Sequence, residues 1–242
     1  MQVGSMTAFL TYSMMIVMSF MILTVMSILI PRAAVAASRI DEVIKCESSV
    51  LDREGAIEIK DSAGRLEFDN VSFRYSNAEE NVISGISFIA KPGETTAIIG
   101  STGSGKSTIV NLIPRFFDVT AGSIKLDGRD IRNLSIKSLR DQIGFVPQKG
   151  ILFSGTIDSN IRFGNEDATP EEIRKAAEIA QALEFVEEKE DGFESTIAQG
   201  GSNVSGGQKQ RISIARAIAK NPKIFVFDDS FSALDMKTDA KL

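Results

Sequence analysis

Gly100-Ser101-Thr102-Gly103-Ser104-Gly105-Lys106-Ser107 fills the pattern G-x-x-x-x-G-K-[ST] at each fixed position. Thr95-Thr96-Ala97-Ile98-Ile99 before it reads as a short buried strand. The apolar-periodic run from Ser107 to Leu112 after it reads as the start of a helix. Strand, glycine-rich loop and helix in that order form a phosphate cradle. The glycines let backbone N–H groups turn inward, and the helix N-terminus adds partial positive charge. Lys106 reaches the terminal phosphates, and Ser107 offers its hydroxyl to Mg2+. A glycine-rich loop alone matches by chance; its flanks make this one specific.

Near the other end, Lys223-Ile224-Phe225-Val226-Phe227 reads as a second buried parallel strand that delivers Asp228 to its C-terminal edge, where open α/β sheets bind ligands. Asp228 there suits the Mg2+ shell. Asp229 stands immediately beside it. Between loop and strand lies Val204-Ser205-Gly206-Gly207-Gln208-Lys209-Gln210-Arg211, which opens a helix-like run through Ala219. Ser205 suits an N-cap, and the two glycines leave N–H groups open to an anion. By itself this is an ordinary capped helix.

Composition divides the chain unevenly. Residues 2 to 31 contain no Asp, Glu, Lys or Arg, and seven of the eight Met fall within the first 26 positions. From Met6 to Ile30 a helix would reach about 37 Å, enough to cross a hydrocarbon core of roughly 30 Å with some tilt. Arg32, Arg39 and Lys45 follow on one side only, which places that side in the cytoplasm. A secretory signal ending at Ala34-Val35-Ala36 is the competing reading. It is disfavoured because the first five residues carry no positive side chain and the run exceeds the ~7 to 15 residues of a signal h-region. A buried core helix of this length without a charge is also disfavoured. Helical spacing continues past Pro31 to Lys45, with a kink expected at the proline. Glu47 to Gly64, with mixed charges and two glycines, reads as a linker.

The net charge of −5 and the lack of a basic block argue against nucleic acid as a partner. Cys46 is the single cysteine and the chain has no His, so an internal disulfide, a His/Cys metal cluster and a Ser-His triad are excluded. Chemistry falls to carboxylates, amides, Lys, Arg and backbone N–H groups.

Over nearly all of residues 65–242 the sequence resembles the nucleotide-binding domain of ATP-binding cassette (ABC) transporters. Val204-Ser205-Gly206-Gly207-Gln208 is similar to the family's Leu-Ser-Gly-Gly-Gln signature, with Val for Leu. The resemblance implies that Tyr75, in Val71-Ser72-Phe73-Arg74-Tyr75, stacks on adenine, and that Gln148, in Phe145-Val146-Pro147-Gln148, is the Q-loop residue that reaches Mg2+. It also makes Ser232-Ala233-Leu234-Asp235 the D-loop. Gly100 to Ser107 and Thr108 with Asp228 would hold ATP, with Ser107, Gln148 and Asp228 on the metal side. Asp229, Gln148 and Lys106 would serve catalysis. Ser205, Gly206, Gly207 and Gln208 would act in trans on a partner's nucleotide.

The implied fold is an α/β P-loop NTPase preceded by one transmembrane helix. It has a mixed sheet core, an antiparallel β subdomain from strands near 66–75 and 82–90, and an inserted helical subdomain over about 151–215. The domains are then 1–46, the last transmembrane helix and its extension; 47–64, a linker; and 65–242, the nucleotide-binding domain. An Asp127-Gly128 hairpin turn fits the β part, and Thr169-Pro170-Glu171-Glu172 marks a helix start. Thr7 to Tyr12 and Ala37 to Ile40 resemble the last membrane helix of an exporter half-transporter.

The sequence departs from the family pattern at two places. Asp229 stands where the family usually has Glu, one methylene longer, and uncharged Ala198-Gln199-Gly200-Gly201 replaces a Gly-Glu-Arg-Gly-like loop. Asymmetric exporters pair such a half with a different, competent half. The resemblance therefore implies an ATP-binding half of a heterodimeric exporter with impaired hydrolysis, whose partners are a second half-transporter and the membrane. Three alternatives stay open: the backbone adjusts so that Asp229 still works, the chain is a regulatory half without turnover, or it is a soluble ABC ATPase. The family's switch His lies about thirty residues beyond the second carboxylate. The chain is thus expected to be a fragment that alone hydrolyses ATP negligibly.

Overall fold

The computed structural model describes residues 3–231. It divides into two compact units, Met1–Ser49 and Val50–Leu242. The first is a single helix, α1 (Val3–Ile44), whose described residues bury none of their side chains. It is long and apolar enough to cross a membrane. Its few hydroxyls do not disturb it: Thr7, Thr11, Ser13, Ser19, Thr24 and Ser27 each donate to the carbonyl four residues back, at 2.8 to 2.9 Å. A hydroxyl satisfied on its own helix needs no water, as a lipid surface requires. The helix runs unbroken through Pro31.

In the second unit, β1 (Leu66–Phe73) pairs antiparallel with both β2 (Ile83–Ala90) and β3 (Ala121–Leu126), and β3 turns back into the short β4 (Arg129–Asp130). The order is β2-β1-β3-β4. Asp127 and Gly128 make the tight turn with φ of 50° and 79°, the left-handed pair that a two-residue hairpin needs. The phosphate-loop helix α2 (Lys106–Leu112) and the short α3 (Ile136–Asp141) complete this half.

β5 (Ile143–Val146) then pairs in parallel with the distant last strand. Between them come β6 (Gly155–Thr156), α4 (Ile157–Arg162), α5 (Pro170–Ile179), α6 (Leu183–Glu187), β7 (Thr196–Ile197) and α7 (Gly206–Ala219), and β8 (Ile224–Phe227) closes the pair. Pleating sends alternate residues of the parallel pair to opposite faces. Ile143 and Val226 join the core built by the antiparallel sheet and α2. Val146 and Phe227 face a second core made by α4 to α7, with Ile161, Ile173 and Ile212 fully buried. Two strands thus separate two apolar interiors.

Two expectations from sequence change. Thr95–Ile99 is not a strand: Ile98 leans on the core, but Ile99 is 92% exposed, and no ladder forms along the segment among the described residues. An apolar run becomes a strand only where a neighbour takes up its N–H and C=O groups. Within the expected linker 47–64, residues 52 to 57 are tied down rather than free. Ile57 bridges to Leu134, the Asp52 carboxylate accepts from the Ile136 N–H at 2.7 Å, and Arg53 donates to the Asn133 side chain at 2.8 Å. Asp52 and Arg53 thus have partners elsewhere on the second unit, as does Asp61, 3.2 Å from the Lys223 ammonium.

Candidate nucleotide site

Gly103 and Gly105 hold the loop open, with φ of 82° and 89°. At Gly105 a Cβ would also press to 2.8 Å from the Ile83 side chain, so both conformation and space demand glycine there. Gly105 is the N-cap of α2 and gives no side-chain hydrogen bond, which leaves the first helix amides for another acceptor. The Lys106 ammonium meets the Gly100 and Ser101 carbonyls of its own loop at 2.9 and 2.8 Å. Backbone carbonyls are neutral partners, which a phosphate outcompetes for an ammonium.

The end of β8 meets this loop. The Ser107 hydroxyl donates to Asp228 Oδ1 at 2.8 Å across 121 residues of sequence, and the Gln148 amide donates to Asp229 Oδ2 at 3.0 Å. The register of the parallel pair causes this: Val146 lies opposite Phe227, so Gln148 and the two aspartates leave the same edge. Asp229 has φ 46°, a left-handed conformation uncommon outside Gly, Asn and Asp. Such strain is held at functional sites when the surroundings over-determine it. Here the neighbouring Ser230, fully buried, donates to the Val146 carbonyl at 2.9 Å.

Tyr75 lies beside α2, its hydroxyl 3.3 Å from the Thr108 hydroxyl and its ring edge-on to Phe73 and Phe117 at 4.8 and 5.3 Å. It remains 36% exposed, so part of the ring is open to a planar ligand. Together these groups are a hydroxyl, a carboxylate and an amide oxygen, hard ligands suited to Mg2+. No cluster of three His, Cys, Asp or Glu occurs among the described residues. Mg2+ typically takes only one or two carboxylates and completes its shell with phosphates and water, so the donor set fits a metal that arrives with a nucleotide.

The signature stands apart. Ser205 caps α7 by accepting from the Gln208 N–H, and the Gln208 side chain returns the bond to the Ser205 N–H at 3.0 Å. No hydrogen bond joins these residues to the phosphate loop among the described residues. Gly206 is exposed, and a Cβ there would meet nothing within 4 Å, so no described residue requires glycine at that position. The uncharged Ala198–Gly201 turn is braced by Lys209, which donates to the Gly200 carbonyl at 2.9 Å, and by Asn203, which binds the Ala198 N–H. Ser232 to Asp235 lie outside the described residues.

Sequence reading overlooked Gln210. It is 1% exposed, and its amide donates to the Pro147 carbonyl at 3.1 Å, linking the signature helix to the residue before Gln148. Its spacing gave a signal: Gln210, Ile214 and Ala217 share one helix face, and a polar residue in a buried register needs a partner.

A phosphate cradle, a carboxylate-bearing parallel strand and a capped Ser-Gly-Gly-Gln helix on one α/β body define a class of nucleotide-binding domain. The model of the ABC transporter family matches residues 83–232, and the chain belongs to that family. An uncharacterised ABC transporter ATP-binding protein of Mycobacterium tuberculosis is 45% identical over 246 residues, covering 100% of this chain and 42% of that protein. The β-(1→2)glucan export ATP-binding/permease protein of Rhodopseudomonas palustris is 48% identical over 200 residues, 83% of this chain and 33% of its own length. A solved bacterial Atm1-family ABC exporter with ATP bound superposes with a TM-score of 0.81 at 35% identity, over 88% of this chain and 37% of that one. The chain thus spans less than half the length of these relatives.

Proposed function

We propose that this chain is the ATP-binding part of an ABC exporter half, that its own site binds Mg-ATP but turns it over poorly, and that its signature serves a different partner half. The observation that carries this reading is the convergence of Lys106, the Ser107–Asp228 pair and the Gln148–Asp229 pair at one strand edge. Lys106 and the loop amides would hold the phosphates, Ser107, Asp228 and Gln148 the metal, and Tyr75 the base. Bound Mg-ATP supplies the phosphoanhydride whose hydrolysis drives the cycle.

Asp229 would orient the attacking water, but its carboxylate sits one methylene short of a glutamate's. A misplacement of ~1 Å costs on the order of 100-fold in rate. Binding therefore survives while hydrolysis slows. The open Gly206 supports a second chain approaching the signature closely, because a glycine that no described residue crowds leaves room for a ligand from outside. The apolar α1 supports a membrane location with the ATPase body on the cytoplasmic face.

The test is steady-state ATP turnover of the full-length pair. Asp229→Glu is expected to raise turnover, and removal of the partner's catalytic carboxylate to abolish it. Hydrolysis left intact after that removal would overturn the asymmetric assignment. Turnover unmoved by Asp229→Glu would favour a purely regulatory half, in keeping with the strained, Gln148-engaged Asp229.

A further inference from the structure

Arg115 is the largest fully buried side chain in the described structure, 1% exposed, and it lies one turn beyond the phosphate-loop helix. Its backbone is left-handed, with φ 53°, and its N–H donates to the Leu112 carbonyl at 3.1 Å, so it is fixed to the end of α2. Its guanidinium grips Asp118 with two bonds, Nε to Oδ1 at 2.6 Å and Nη2 to Oδ2 at 3.1 Å. Nη2 also donates to the Leu51 carbonyl at 3.1 Å. Nη1 is buried and has no partner among the described residues.

This is an expensive arrangement. A long apolar side chain would fill the same space without a desolvated charge or an unpaired donor. What it could not do is hold the Leu51 carbonyl and Asp118 at once. Leu51 belongs to the strap 50–57, which follows α1 in the chain after only a few residues and is tied to α3 by the Asp52 carboxylate. The Arg115 carbonyl in turn accepts from Arg140 of α3 at 3.1 Å, so strap, α3 and α2 meet at one residue.

We propose that Arg115 is a positioning residue that couples the strap to the phosphate-loop helix, so that nucleotide binding at Lys106 is felt at residues 50–57. The inference rests on the ATP-binding reading of that loop. α2 is a single short rod with Lys106 at one end and the Arg115 clasp beyond the other, and any rotation of α2 on phosphate binding must turn the clasp.

The experiment is hydrogen exchange of the Ile57 and Ser135 amides, which bond across the strap at 2.9 Å each, in the full-length transporter with and without Mg-ATP. Titration calorimetry reports ATP binding separately. In the wild type, ATP is expected to change exchange at these amides by about tenfold. Arg115→Met and Arg115→Lys are expected to lose that response while ATP affinity stays within about threefold, because a lysine ammonium cannot fork between Asp118 and Leu51. Leu51→Ala, which keeps the carbonyl and alters only an exposed side chain, should retain the response. A merely structural arginine would lower protection equally with and without ATP; an ATP response surviving in either arginine variant overturns the proposal. If Arg115→Met fails to fold, Arg115→Lys decides. ATP bound by the wild type without any strap response overturns this inference alone, whereas no binding at all overturns the nucleotide reading and the inference with it.

Discussion

At Lys106 the proposed site would place its one ammonium on the phosphates, trading its present bonds to the Gly100 and Ser101 carbonyls for charge-assisted ones. Charge-assisted bonds to phosphate contribute about 1.5 to 3 kcal/mol each. Lys106→Ala is expected to weaken Mg-ATP binding by on the order of 100-fold with little change in melting temperature, a split that calorimetry and thermal denaturation together would reveal. Gly105→Ala should do the reverse. Its φ of 89° and the Ile83 contact force strain of roughly 1 to 3 kcal/mol into the fold before any ligand arrives. Both effects were legible in the octet itself, because a pattern of glycines and one lysine states backbone geometry directly. The left-handed Arg115 was not legible, since arginine carries no preference for positive φ, and an Asp at 229 only permits such a turn without requiring it.

Among the elements, helix starts were the most readable feature. Thr169 and Ser205 both form reciprocal capping boxes, with Glu172 and Gln208. Ser205→Ala removes one acceptor from α7, and a loss of about 1 kcal/mol of stability is expected by chemical denaturation. ATPase activity of the assembled pair should fall further than stability does, because the same residue faces the partner's nucleotide in the proposed arrangement. The segment 95–99 misled for a physical reason: an apolar run specifies burial, whereas strand identity depends on a neighbour that local sequence does not name. The strap misled in the opposite direction. Asp52 and Arg53 look solvated in sequence, yet each finds a partner some eighty residues away.

For the second unit as a whole, two carboxylates contribute to its sensitivity to acid. Burial pushes the Asp127 carboxyl up, but the Ser62 hydroxyl and the backbone N–H groups of Arg65, Ala63 and Gly64 outweigh it and hold the group below its ordinary value. Asp130 is likewise raised by burial and more strongly lowered by bonds from Arg132, with the Arg53 charge adding to them. A folded-state pKa below the unfolded value gives stability that is complete well above about pH 4 and lost as pH falls through the carboxylate range. The melting temperature should therefore drop between about pH 5 and pH 3, and Asp127→Asn should flatten that drop while lowering the neutral-pH value.

The parallel pair has a consequence for how the body comes into being. Because Ile143 and Val146 on β5 look into different interiors, and β8 supplies Val226 and Phe227 to the same two, neither interior is finished until the chain has been made as far as residue 227. On the ribosome, at ~5 to 20 residues per second, the antiparallel sheet and the helices must wait with one side unsealed. Both are then expected to close together once β8 is in place. Ile143→Ala should accordingly cost about 2 to 5 kcal/mol and lower one shared calorimetric transition rather than split it into two. Closing the interior and setting Asp228 and Asp229 beside the phosphate loop are thus the same step of folding.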